Sequence, residues 1–262
     1  MDLKLHGKRA LVTGSSGGLG EETARLLAAE GASVVVHGRD AARTAAVAEA
    51  VRAAGGSATT AVGDLGTDEG ADAVAAAALA GGPVDILVNN AGRYDMSVDW
   101  TTTTPADWAD IYNTNVISSV RMIQRLVPAM RTRGWGRVIQ VGSVTGELPQ
   151  TTQPHYAASN AARANLARSL ARELRHTGVT SNVVVAGGIL VPGAVERLTA
   201  MGRERGWGDT WEEIAANRDT AFAANDVGRI GEPREYADVI AFLASPLSAY
   251  ITGSALRVDG GW

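Results

Sequence analysis

Two hydroxyls, Ser143 and Tyr156, carry the chemistry this chain offers. A serine can donate a hydrogen bond to a carbonyl oxygen while a tyrosine exchanges a proton with it as hydride moves at the adjacent carbon. Asn160 lies four residues beyond Tyr156, on the same face of a helix. Its amide could hydrogen-bond a ribose hydroxyl, but it brings no charge. A tyrosine that handles protons near neutral pH needs a fixed positive charge nearby to draw its pKa down from about 10.

Upstream, Thr13-Gly14-Ser15-Ser16-Gly17-Gly18-Leu19-Gly20 has the glycines for a tight turn whose amide N–H groups, with a helix N-terminus, hold a pyrophosphate. His37-Gly38-Arg39 ends the next apolar run. An acidic residue there would bind the adenosine ribose 2′-OH of NAD, and an arginine pairs instead with the 2′-phosphate of NADP. Arg39 therefore favours NADP(H) over NAD(H), the alternative being a solvated arginine at a strand end. Asp64 either accepts from the adenine amino group or caps a turn.

These residues need a frame that gathers them. Short Val-, Ile- and Leu-rich runs alternate with Ala- and Arg-rich stretches of helical period, the pattern of strand-helix-strand units around a buried parallel sheet. Strands are expected at 9–13, 33–37, 58–62, 86–89, 137–141, 181–185 and 255–258. Thr104 and Pro105 read as a helix start, while Gly31, Gly55 and Gly178 read as helix stops. The expectation is a single α/β domain over 1–262, a Rossmann-type doubly wound parallel seven-stranded sheet with helices on both faces. At the carboxyl ends of such strands Asn89-Asn90-Ala91-Gly92, Ser143 and Tyr156 converge on one crevice. Residues 187–228 break the rhythm and read as a lid, with Met201, Trp207, Trp211, Ile214 and Phe222 as its apolar residues. Trp207 and Trp211, at helical spacing, either close over an apolar substrate or anchor the lid on the core, the second being favoured, and Glu212-Glu213 are expected to face solvent.

Taken together, these motifs resemble the classical short-chain dehydrogenase/reductase family over nearly the whole chain. The TGxxxGxG turn is Thr13 to Gly20, NNAG is Asn89 to Gly92, the helix asparagine is Asn115, the serine is Ser143 and the YxxxK tyrosine is Tyr156. The segments Gly228 to Pro233 and Val258 to Gly261 also match. The resemblance implies a catalytic set of Ser143, Tyr156, Asn115 and, in altered form, Asn160. It implies cofactor contacts at Gly14, Ser16, Gly18, Leu19, Gly20, Arg39, Asp64, Leu65, Asn90, Ala91, Gly92 and Ile189. It also implies a homodimer or homotetramer.

Where the family has lysine, this chain has Asn160; where it has Pro-Gly after the sixth strand and threonine four residues on, this chain has Ala186-Gly187 and Val191. Arg163 could replace the missing charge, yet an arginine on a helix more often pairs at the surface or at a subunit contact, which is the expectation here. His155 should point about 100° away from Tyr156 around the helix, outside any relay.

Composition narrows the alternatives. The 262 residues carry a formal net charge of −4, which favours neither nucleic acid nor an anionic membrane as partner. There is no cysteine, and the four histidines lack ligand spacing, so no metal site is expected. No apolar run approaches a membrane span and the N-terminus has no leader pattern, making a cytoplasmic address the default. The first reading is an NADPH-dependent reductase of ketone or 3-oxoacyl-type substrates, biased towards reduction and slowed by the missing lysine. The small-molecule partner is then a carbonyl or alcohol. The others are a cofactor-binding scaffold without hydride transfer, and a non-redox enzyme using Ser143 and Tyr156 as oxyanion donors.

Overall fold

A computed structural model of the chain describes residues 2–222 and 225–262. The side chains at 216 and 218–222, Phe222 among them, lie outside the described residues. The first half runs β1 (Arg9–Val12), α1 (Gly18–Ala29), β2 (Ser33–Gly38), α2 (Ala41–Ala53), β3 (Ser57–Val62), α3 (Asp68–Leu79) and β4 (Ile86–Asn89). The second runs α4 (Pro105–Tyr112), a π-helical turn (Asn113–Ile117), α5 (Ser118–Arg133), β5 (Gly136–Ser143), α6 (Pro154–Glu173), β6 (Val179–Ala186), α7 (Pro192–Glu204), α8 (Trp211–Phe222), α9 (Pro233–Ala244) and β7 (Ala255–Val258).

The strands form one parallel sheet in the order β3-β2-β1-β4-β5-β6-β7. Chain order reverses between β1 and β4, so Val12 pairs with Val36 on one side and Val88 on the other. Burial on both faces explains why the inner strands read as near-continuous apolar runs, whereas the edge strands β3 and β7 are partly exposed. Val12, Val34, Val36 and Val88 pack towards α1 and α9; Leu11, Val35, Leu87 and Val138 pack towards α3 and α5. The predicted strands stand, with β5 and β6 extending further at both ends than expected.

All but one of the helix signals act as read. Thr104 caps α4 reciprocally with Asp107, and Pro105 takes the first turn, where its missing N–H costs nothing. Gly31 (φ 91°) and Gly55 (φ 86°) adopt the left-handed conformation just beyond α1 and α2, while Gly178 (φ 74°) lies five residues past the end of α6, at the entry to β6, and does not end that helix. Between β6 and α9, α7 and α8 pack on each other through fully buried Ile214, which fills the space a side chain on Gly202 would need. Trp207 is half-buried under the Arg205 guanidinium, and Glu212 and Glu213 are exposed. Among the described residues no helix is long and apolar enough to cross a membrane, and no three His, Asp or Glu side chains cluster to hold a metal.

Candidate active site

The glycine-rich turn sits at the sheet's reversal point, between β1 and α1. Gly14 has φ 64° and Gly18 φ 58°, values that favour glycine. The Gly14 N–H donates to His37 Nδ1 at 2.9 Å, which leaves the ring proton on Nε2 to donate to Gly63 O at 3.1 Å. Burial pushes the His37 imidazole below its ordinary pKa, consistent with this neutral tautomer. Thr13 Oγ1 accepts from the Asn90 and Ala91 N–H groups, and Asn90 Nδ2 donates to Thr13 O and Gly14 O. Asn90 and Ala91 thus brace the turn from behind. A Cβ on Gly20 would lie 2.4 Å from Gly14 O, so only glycine permits this approach of helix to turn. Gly17 caps α1 without a side-chain hydrogen bond, which leaves the Gly18, Leu19 and Gly20 amides for an anion. The cradle fits a pyrophosphate.

Beside it runs a groove of about 480 Å³ bounded by Ser16, Gly17, Arg43, Val191 and Pro192. Arg39 is exposed at the end of β2. Arg43, which the sequence reading did not single out, reaches Ser16 O at 3.5 Å and stands 2.9 Å from the point a Gly17 Cβ would occupy. Its signal was present: Arg43 lies one helical turn beyond Arg39, just inside a helix whose N-cap is Asp40. Asp64 Oδ1 accepts from Gly66 N–H at 2.9 Å, closing a turn, while the residue stays exposed. Leu65 is buried, and Ile189 is half-buried in a bridge to Gly231.

At the other end of the crevice, Ser143 closes β5 and Tyr156 lies in the first turn of α6. Ser143 Oγ accepts from Thr145 N–H at 3.3 Å and from Thr145 Oγ1 at 3.1 Å. Its own proton is therefore left to donate outward. The half-buried Tyr156 ring leans on Tyr94, with centroids 6.0 Å apart, and Arg197 of α7 donates to Tyr94 Oη at 3.2 Å. The 187–228 insertion thereby reaches the edge of the site.

Asn115 lies in the π-helical turn, a distortion frequent at functional sites. Its side chain is fully engaged: Oδ1 accepts from Arg93 N–H, and Nδ2 donates to Arg93 O and Ser159 Oγ. Asn160 is buried on the Tyr156 face of α6, its Nδ2 donating back to Tyr156 O at 2.9 Å. His155 turns away against Trp108, with ring centroids 6.1 Å apart. Arg93 is ion-paired with Asp110 at the surface. Val191 opens α7 without a side-chain cap and contributes a methyl facing Gly18.

Arg163 corrects an expectation. It is 4% exposed, not a surface residue, and its guanidinium donates to Asn115 O through Nε, Val141 O through Nη1 and Ala91 O through Nη2. The physical reason is helix geometry. Tyr156, Asn160 and Arg163 follow an i, i+4, i+7 stripe, and long helical side chains lean towards the N-terminus, back over the preceding turn. Burial lowers its pKa to about 10, so it remains cationic at neutral pH, and a charge on Tyr156 would raise it.

The family model for short chain dehydrogenases matches residues 8–201. A 3-oxoacyl-[acyl-carrier-protein] reductase FabG of Vibrio harveyi is 36% identical, the match covering 99% of this chain and 98% of that protein. An uncharacterized oxidoreductase of Bacillus subtilis, YvaG, is 35% identical over 100% of this chain and 98% of its own. Among solved structures, L-sorbose reductase from Gluconobacter frateurii, complexed with NADPH and L-sorbose, superimposes with a TM-score of 0.92. It shares 31% identity over 100% of this chain and 98% of that one. A 3-oxoacyl (acyl-carrier-protein) reductase from Agrobacterium tumefaciens with NADP bound gives a TM-score of 0.89 at 35% identity, covering 100% and 96% of the two chains.

Proposed function

The chain belongs to the short chain dehydrogenase family of oxidoreductases, and from that premise we propose that it is an NADPH-dependent reductase of ketone or 3-oxoacyl-type carbonyl compounds. The observation that carries the reading is the Ser143 hydroxyl, which accepts twice from Thr145 and so presents its proton outward at the end of β5, the strand against which the Tyr156 helix packs. NADPH held along the glycine-rich turn would supply the hydride. Ser143 then donates a hydrogen bond to the substrate oxygen, and Tyr156 delivers its proton to that oxygen as negative charge develops. Reduction requires Tyr156 to start protonated, because it is the proton donor. Tyr94 and Arg197 line the approach and tie it to α7, which supports a lid over the substrate end.

NADPH preference rests on Arg43, which lines the groove, and on Arg39, exposed just after β2, with no carboxylate at the end of β2 before Asp40. Asp40 itself is engaged as the cap of α2. The NADPH and NADP in the superimposed structures support the same preference.

The test is fluorescence titration with NADPH and NADH, followed by loss of nicotinamide absorbance with ketones, quinones and 3-oxoacyl thioesters. Tyr156→Phe should abolish turnover and leave NADPH affinity within about twofold. Binding without turnover by the unaltered protein would refute the reductase reading in favour of a cofactor-binding scaffold.

A further inference from the structure

We propose that Arg163 provides Tyr156 with the positive charge that position 160 lacks, making it a positioning residue for proton transfer. Three carbonyls from three separate elements meet on its guanidinium: Ala91 after β4, Val141 in β5 and Asn115 in the π-helical turn. They fix the cation beneath the carboxyl ends of β4 and β5, the second of which carries Ser143. Among the described residues no carboxylate pairs with it, and its charge is coupled to Tyr156.

A buried cation without a carboxylate partner is expensive, and this one lies on the Tyr156 face of α6, seven residues beyond it. Asn160 makes the arrangement compatible. Its side chain folds back onto Tyr156 O and adds no second cation to the stripe. Coupling is reciprocal: the guanidinium that a phenolate would stabilise also stabilises the phenolate.

The inference deepens the reductase reading of the same site, but its test needs no turnover. The protein is labelled with [13Cζ]tyrosine, which gives five resonances, and Tyr156 is identified by its loss in Tyr156→Phe. Its titration is then followed by NMR. In the unaltered protein the Tyr156 carbon should titrate at lower pH than that of fully exposed Tyr250. If it titrates with or above Tyr250, the proposal falls, whatever the variants do.

Arg163→Gln keeps a donor and loses the charge; Arg163→Lys keeps the charge with fewer donors. At a fixed pH on the rising limb, Arg163→Gln should cut the phenolate population at least about tenfold, while Arg163→Lys stays within about threefold. Equal titration of Tyr156 in the unaltered protein and in Arg163→Gln would show that the guanidinium only braces the backbone. Adding Asn160→Lys to Arg163→Gln should restore the low midpoint by returning a cation to the stripe. Absence of turnover with every carbonyl would refute the reductase reading while leaving these titrations valid; robust turnover with unchanged titrations would do the reverse.

Discussion

Replacing Arg43 with alanine should weaken NADPH roughly 10- to 100-fold and leave NADH within about twofold. In the protein, Arg43 makes one marginal side-chain contact, to Ser16 O at 3.5 Å, so little is lost on the protein side when it is removed. The cap of α2 survives, because Asp40 accepts from the backbone N–H of residue 43. What is lost is a charge-assisted hydrogen bond to a phosphate, worth about 1.5–3 kcal/mol. At about 1.4 kcal/mol per tenfold, that is one to two decades of affinity. Arg39→Ala should fall in the same range, and the double variant should lose less than the sum if both groups share one phosphate. Both arginines are exposed, so the preference should shrink with ionic strength, and titrations belong at fixed salt. Equal losses of NADPH and NADH would refute the reasoning, because they would mean that Arg43 merely props the Ser16-Gly17 turn. No loss of either would place the phosphate elsewhere.

Thr145→Val removes the hydroxyl that donates to Ser143 Oγ and frees Ser143 to turn its proton inward. The kcat should fall about tenfold with NADPH affinity unchanged, and steady-state kinetics beside a binding titration would separate the two. His37 makes stability depend on pH with a definite sign. Its folded pKa is depressed below the ordinary value, so the folded state binds fewer protons than the unfolded chain just below that value. Its stabilising contribution is complete above pH ~6.5 and declines as pH falls towards the folded value, by at most about 1.36 kcal/mol per pH unit. Urea unfolding of the protein and of His37→Asn at pH 7, 6 and 5 would show the slope; an identical slope in both would remove His37 from the account.

Strand positions were legible because β-branched runs such as Val34 to Val36 and Val183 to Val185 are buried on both faces and tolerate little else. The glycine-rich turn was legible for a steric reason, since Gly20 has no room for a Cβ against Gly14 O. Arginines were harder. Spacing places Arg163 on the Tyr156 face, but whether so long a side chain folds inward or snorkels outward depends on carbonyls from Ala91, Val141 and Asn115. Those come from distant segments, and one of them is presented by a π-helical turn that sequence period does not announce. Arg43 was missed for the opposite reason: an exposed arginine in an early helical turn looks ordinary until Gly17, which leaves it room, is placed beside it. Asn90, expected as a cofactor contact, also braces the turn through its side chain, a role that residue type alone does not announce.

The interlock of the glycine-rich turn with β2 bears on the order of events. Gly14 N–H rests on His37 Nδ1, Ser15 N–H on His37 O, and Ser15 Oγ links Val12 O to His37 N–H. The dinucleotide's receptor is therefore set before any ligand arrives, and docking there pays little ordering entropy. The far end of the crevice is bordered by exposed Tyr94 and Arg197, one on a loop and the other on α7. A ligand sequence with the nucleotide bound first is the kinetic signature expected of a receptor that is already built at its dinucleotide end.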